Sequence, residues 1–356
     1  MTRLLDVRDL RVAFHTRDGV AEAVGGVSYA VDAGRTLAVL GESGSGKSVT
    51  AQAIMGILDT PPAFVTGGKV FFQGRDLLTL SGEERRRIRG AKMSMIFQDA
   101  LSALNPVLPV GAQLAEMYQV HRGMSRKDAR ARAVELMDRV RIPAAAARAG
   151  DYPHQFSGGM RQRIMIAMAI ALEPELIIAD EPTTALDVTV QAQVMDLLAE
   201  LRAEYAMGLI LITHDLGVVA DVADTIAVMY AGRIVETAPV RDLYRRPAHP
   251  YTRGLLDSIP RVDHRAGHRG GELYAIKGLP PSPLALPPGC PFSPRCPRAR
   301  DICRTDRPPL YEVTDAGADP GAGGRASACH FWKEELHGLD PLDPLGTAGT
   351  VGPLGG

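Results

Sequence analysis

The sequence predicts an α/β fold with a mostly parallel sheet, and three observations carry that expectation. Apolar runs at residues 176–180 and 209–213 have the length and continuity of strands covered on both faces. Amphipathic helical segments lie between such runs, the alternation that builds right-handed βαβ units. A further apolar run, residues 36–40, leads into a glycine-rich loop and then a helix-like stretch at 49–58.

Further along the chain, residues 70–73 and 93–98 read as short strands. Ser125 caps a helix with Ala129, Ala133, Leu136, Met137 and Val140 on one face and Arg126, Arg130, Arg132 and Arg139 away from it. The longest purely apolar run, residues 164–172, is nine residues, less than half the ~20 of a membrane-spanning helix. After the strand at 176–180, a helix at about 189–205 turns Val190, Val194, Leu197, Leu198 and Leu201 inward. Proline then marks a second region: 14 of the 26 prolines fall in the last 80 residues, from Lys277 onward, which places a boundary near 235–260. Residues 336–356 repeat Gly, Pro, Leu and Asp without period and are expected to lack fixed structure.

The 356 residues carry 40 basic and 41 acidic side chains, a formal charge of −1. That balance disfavours a nucleic-acid coat or a polybasic membrane anchor, both of which need excess Lys and Arg. Charge interrupts the first nine residues too soon for a secretory signal, so the chain is expected in the cytoplasm with reduced thiols.

Gly41-Glu42-Ser43-Gly44-Ser45-Gly46-Lys47-Ser48 matches the phosphate-binding loop, in the strand-loop-helix setting the pattern requires. Glycines let successive N–H groups face phosphate oxygens, the helix amino terminus attracts the anion, Lys47 neutralises β/γ charge, and Ser48 can ligate Mg²⁺. The loop alone fits kinases, small GTPases, helicases and transport motors. Residues 176–181 add a strand ending in two carboxylates: Asp180 to hold Mg²⁺ and Glu181 to orient and polarise an attacking water. Ser157, Gly158 and Gly159 open the apolar helix, placing a hydroxyl and two unhindered N–H groups at a positive helix end, suited to a second γ-phosphate contact. So much anion-binding chemistry suits one chain only if two chains share each nucleotide.

In this order, the loop at 41–48, Gln98, Ser157-Gly158-Gly159, Asp180-Glu181, Ala185-Leu186-Asp187 and His214 resemble the nucleotide-binding subunits of ABC transporters, over nearly all of residues 4–335. The resemblance implies a RecA-like parallel-sheet core, an antiparallel β subdomain and an α-helical subdomain at about 100–170, all within residues 1–255. It also implies head-to-tail pairing, with Lys47 of one subunit and Ser157 of its partner enclosing one ATP. Matching positions make Phe14 the residue stacking on adenine, Val49 part of the nucleotide contact, Gln98 a Mg²⁺-sensing and coupling residue, Asp187 a cross-interface contact and His214 the γ-phosphate partner. The segment 98–106, Met160 in the signature and His249-Pro250-Tyr251-Thr252 look like the D-type ATPase of dipeptide/oligopeptide and nickel importers. Met160 stands where Gln is usual, and Ala100 where proline is frequent. Phosphate contacts come from Ser157 and backbone, so catalysis is expected to survive the first, and the second changes loop rigidity.

Cys290, Cys296, Cys303 and Cys329, separated by five, six and 25 residues, resemble the carboxy-terminal extension of those importer ATPases, here residues 256–335. Four thiolates can hold a 4Fe-4S cluster or a tetrahedral Zn²⁺. The lack of close cysteine pairs favours iron-sulfur over zinc or free thiols, and the metal is expected to hold a small, separate Cys-rich lobe together.

The resemblance therefore implies an ATP-hydrolysing motor subunit of a dipeptide/oligopeptide-type importer, using ATP and Mg²⁺ at the cytoplasmic face of a bacterial-type cell membrane. Its expected partners are two transmembrane permeases docking over 98–106 and the helical region to about 155, an F-type ATPase subunit in a heterodimer, and indirectly an extracytoplasmic solute-binding protein. The alternative is a soluble iron-sulfur ABC-type ATPase acting on ribosomes or DNA. The chain has neither a second phosphate loop nor sustained heptads, and its neutral charge disfavours nucleic acid. A P-loop kinase leaves Ser157-Gly158-Gly159 without a purpose.

Overall fold

The computed structural model describes residues 3–184, 186–259, 275–314 and 324–337. The chain begins β1 (Arg3–Thr16), β2 (Gly19–Asp32), β3 (Thr36–Leu40), α1 (Lys47–Met55), β4 (Ala63–Phe72), β5 (Arg75–Asp76), α2 (Gly82–Ile88) and β6 (Met93–Ile96). Helices α3 (Ala100–Ala103), α4 (Val110–Arg122), α5 (Arg126–Arg139), α6 (Ala145–Arg148) and α7 (Gly158–Ile170) follow. Then come β7 (Leu176–Asp180), α8 (Val188–Tyr205), β8 (Gly208–Thr213), α9 (Leu216–Val222), β9 (Thr225–Tyr230) and β10 (Arg233–Pro239). The carboxy-terminal part holds α10 (Val240–Arg245), α11 (Pro250–Asp257), α12 (Asp301–Thr305), β11 (Tyr311–Glu312), β12 (Ala326–Ser327) and α13 (Trp332–His337).

An antiparallel four-stranded sheet, β2-β1-β4-β5, packs on an eight-stranded sheet ordered β11-β12-β10-β9-β3-β8-β7-β6. Neighbours from β9 to β6 are parallel. Along β3, Leu37 and Val39 enter the core between the sheets, while Ala38 and Leu40 enter a second core against the helices. Ile178, Ile210 and Ile212 face the first core and Ile177, Leu209 and Leu211 the second. A strand alternates its side chains between faces, so burial on both sides is what makes these runs continuously apolar.

Ser125 caps α5 by accepting from Asp128 N at 3.2 Å, and Ala129, Ala133, Leu136 and Met137 are its buried face. The strand expected at 70–73 is far longer, beginning at Ala63. Gly67 and Gly68 hide its period by lying where the β1 pairing shifts register. Gly68 has φ 93, and a Cβ there would sit 2.4 Å from Asp9 O, so this close approach requires glycine.

The carboxy-terminal segment is not the free-standing lobe expected from its proline content. β12 pairs with β10, Glu236 opposite Ser327, and so extends the large sheet. Phe292, 2% exposed, belongs to the helix-side core and lies 5.3 Å, centroid to centroid, from both Tyr230 and Tyr251. Phe292 thus joins the segment to the main core, while Val313 and Trp332 form a small cluster of their own with Ala248. Of the tail expected at 336–356, the first two residues end α13, and 338–356 lie outside the described residues.

Candidate functional site

Residues 41–48 join the carboxyl end of β3 to α1. Gly46 caps that helix with φ 100, where a Cβ would lie 2.5 Å from Ala23 O, so the tight strand-to-helix turn needs glycine. Gly41 and Gly44 also have positive φ; Ser43 and Gly44 are exposed and Ser45 is buried. Lys47 is 5% exposed and donates from Nζ to Gly41 O at 2.8 Å and Glu42 O at 3.0 Å. Burial pulls its pKa down, against the pull upward of Glu181, Asp180 and Glu42. An anionic phosphate relieves such a desolvated ammonium.

Ser48 Oγ donates to Asp180 Oδ1 at 3.0 Å, across 132 residues of sequence. Burial pushes the Asp180 carboxyl up, opposed by the Ser48 bond and Lys47 and reinforced by Glu181. A hydroxyl and a carboxylate at this separation are the hard oxygen donors that Mg²⁺ takes, so the residues fit that ion. Glu181 follows with φ 48, left-handed backbone that costs of order 1 kcal/mol in a non-glycine residue. Its Oε2 accepts from Gln98 Nε2 at 3.1 Å and Thr184 Oγ1 at 2.8 Å, and Oε1 lies 3.4 Å from His214 Nδ1. Gln98 follows β6, Glu181 follows β7 and His214 follows β8, three strands side by side. Their loops meet at the carboxyl ends of parallel strands, where open α/β sheets bind ligands.

Six expected residues, Lys47, Ser48, Gln98, Asp180, Glu181 and His214, therefore converge. Phe14 and Val49 flank the core between the sheets, both half-buried. Ser157 instead caps α7, accepting from Met160 N at 3.4 Å, and Asp187 caps α8, accepting from Val190 N at 3.0 Å. Gly159 packs on Val190, where a Cβ would meet Cγ1 at 2.7 Å. Among the described residues no hydrogen bond or ion pair joins Ser157, Gly158, Gly159 or Asp187 to residues 41–48. Ala185, between Thr184 and Leu186, lies outside the described residues. Met160 Sδ accepts from Arg148 Nη1 at 3.2 Å, a local contact away from Glu181. Thr184 escaped the sequence reading because a threonine beside a carboxylate carries no pattern.

The four cysteines line one cavity of about 40 Å³, with His249 and Phe292. Burial raises the thiols of Cys290, Cys296 (to about 11) and Cys329 (to about 12), so they are protonated at neutral pH without a metal. Among the described residues no group of three or more His, Cys, Asp or Glu side chains could hold a metal ion. Convergence on a cavity is not coordination: neither the expected 4Fe-4S cluster nor tetrahedral zinc gains a ligand geometry among the described residues.

Family models match twice: ABC transporter over residues 24–184, and oligopeptide/dipeptide transporter, C-terminal region, over 235–303. The oligopeptide transport ATP-binding protein OppD of Salmonella typhimurium is 50% identical over 333 residues, 94% of this chain and 95% of that protein. The dipeptide transport ATP-binding protein DppD of Bacillus subtilis is 52% identical over 303 residues, 85% of this chain and 89% of that protein. Among solved structures, the dimeric ATP-binding cassette MJ0796 bound to ADP and Pi, in a post-hydrolysis state, matches with TM-score 0.60 and 27% identity, covering 67% of this chain and 99% of that one.

Proposed function

Since this chain belongs to the ATP-binding proteins of oligopeptide and dipeptide ABC transporters, we propose a division of labour among its residues. The chain is the ATP-binding subunit of a dipeptide/oligopeptide importer, and its reaction is ATP hydrolysis coupled to import. The observation that carries the residue assignment is the meeting of Ser48 with Asp180 and of Glu181 with Gln98 and His214. In our reading residues 41–46 cradle the phosphates, and Lys47 balances β/γ charge. Ser48, Asp180 and Gln98 would hold Mg²⁺, which would supply positive charge to neutralise the leaving phosphates. Glu181 orients the attacking water, with Gln98 and Thr184 fixing the carboxylate. His214 contacts the γ-phosphate, and Phe14 stacks on adenine.

The separation of Ser157, Gly158, Gly159 and Asp187 from residues 41–48 supports a second chain at each nucleotide, and we assign that place to an F-type subunit. No helix among the described residues is long and apolar enough to cross a membrane. On its likeness to the peptide-transport ATP-binding proteins we assign the chain to the cytoplasmic face of the membrane, on two permease subunits fed by a binding protein. We divide it into a cassette at 1–255 and an extension at 256–335. Cys290, Cys296, Cys303 and Cys329 line one cavity but form no group that could hold a metal ion among the described residues, so we assign no 4Fe-4S cluster there; absorbance at about 400 nm after anaerobic purification would overturn that. Uptake of labelled peptide into vesicles carrying the assembled complex tests the function itself. Uptake should require ATP inside and stop in Lys47→Ala; uptake unaffected by that change contradicts the assignment.

A further inference from the structure

We propose that Arg295 is a positioning residue for nucleotide binding: through Glu42 it fixes and neutralises the entrance of the phosphate loop, coupling the cysteine-bearing loop to the ATP site. The inference rests on the ATPase reading above.

Glu42 is the second residue of the loop, a position the phosphate-loop pattern leaves open. A carboxylate there is a liability, because it places negative charge beside the phosphates the loop has to attract. The structure shows how that charge is handled. Arg295 donates from Nη1 to Glu42 Oε2 at 2.6 Å and from Nη2 to Oε1 at 3.0 Å, a bidentate pair. The Arg295 side chain is 5% exposed and that of Glu42 28%, so the pair is partly shielded from water. The guanidinium is itself held: Nε donates to Lys277 O at 3.1 Å, Nη2 to Ile276 O at 3.2 Å and Nη1 to Tyr230 Oη at 3.3 Å.

The rest of Glu42 is equally committed. Its N–H donates to Tyr251 Oη at 2.9 Å, and its carbonyl accepts from Lys47 Nζ at 3.0 Å and Ser45 N at 3.2 Å. One residue therefore touches the phosphate-binding lysine on one side and two carboxy-terminal residues on the other. Tyr251 and Arg295 are also tied to each other, since Tyr230 and Phe292 pack against Tyr251 and Arg295 follows Phe292 by three residues. The planar fork of arginine sets both the position and the charge of the carboxylate, which lysine does only in part.

Titration of the full chain with a fluorescent ATP analogue and Mg²⁺, alongside thermal unfolding, tests this. Arg295→Gln should weaken binding at least about tenfold, the cost of leaving one member of a partly buried ion pair alone beside the phosphates. Arg295→Lys should recover part of the loss. Adding Glu42→Gln to Arg295→Gln should restore affinity to within about threefold of Glu42→Gln alone, because the naked carboxylate is then gone. Arg295→Gln within about twofold of the parent chain overturns the proposal, as does a double variant no better than Arg295→Gln. If Arg295→Gln fails to fold, Arg295→Lys decides: a rise in Kd of about threefold or more supports the brace, and an unchanged Kd overturns it. Failure of the ATPase reading looks different, with the unaltered chain binding no nucleotide or Lys47→Ala binding as well as it does.

Discussion

The nucleotide site and the cysteine segment are built in opposite ways. The first takes short motifs at the ends of β3, β6, β7 and β8 and lets the order of neighbouring strands bring them together. The second has little regular structure of its own and is held by single long-range contacts: Phe292 in the cassette core, Arg295 on Glu42, Ser327 beside Glu236. A motif that closes by sheet topology is visible in the sequence. A segment that leans on another part of the chain is visible only as composition.

The largest expected effect sharpens the first half of this comparison. Lys47→Ala removes the buried ammonium from the loop, and ATP affinity should fall about 10- to 100-fold with little change in melting temperature. A titration showing unaltered affinity breaks the assignment. The second half is tested by Phe292→Ala. If the carboxy-terminal segment shares the cassette core, urea unfolding should show a loss of about 3–5 kcal/mol. A loss below about 1 kcal/mol would return the segment to the status of a separate lobe.

Glu236 offers a test by pH at the same junction. It is fully buried and accepts from Ala248 N at 2.7 Å, and burial pushes its carboxyl up from 4.5 to about 7. The folded chain thus holds a proton there that the unfolded chain releases. Its contribution to stability is full below about 4.5 and is lost as pH rises through about 7. Glu236→Gln should flatten that part of the stability profile, and an unchanged slope contradicts the assignment. The smallest effect is Ser125→Ala, which removes the cap of α5 and should cost about 1 kcal/mol without altering ATP affinity. A change in affinity would mean that the helical region and the nucleotide site are not as separate as described.

Much of the site was legible because its residues obey spacing rules. Residues 41–48 and Asp180-Glu181 each sit at the end of a strand recognisable from its apolar run, and the cap at Ser125 followed from a serine before a periodic stretch; Gln98 and His214 were legible only through the family resemblance. The long first two strands and Ala63–Phe72 were not, since bulges at Asp9 and Gly68 break their alternation. Nor was the partner of Glu42, which lies 253 residues away in a proline-rich stretch. Pairwise contacts at that range leave no local pattern. The cysteines gave the reverse case: their clustering between Cys290 and Cys329 in the sequence suggested a metal, while the fold gives them a small shared cavity without a metal-binding group among the described residues.

The central claim is that Glu181 activates water on an ATP held by residues 41–48. Phosphate release by the assembled complex, measured for the parent chain and for Glu181→Gln, tests it most directly. The account predicts that the variant still binds ATP while its hydrolysis falls about 10²- to 10⁴-fold, the loss expected on removing a general base. Hydrolysis at the parent rate in Glu181→Gln would contradict it.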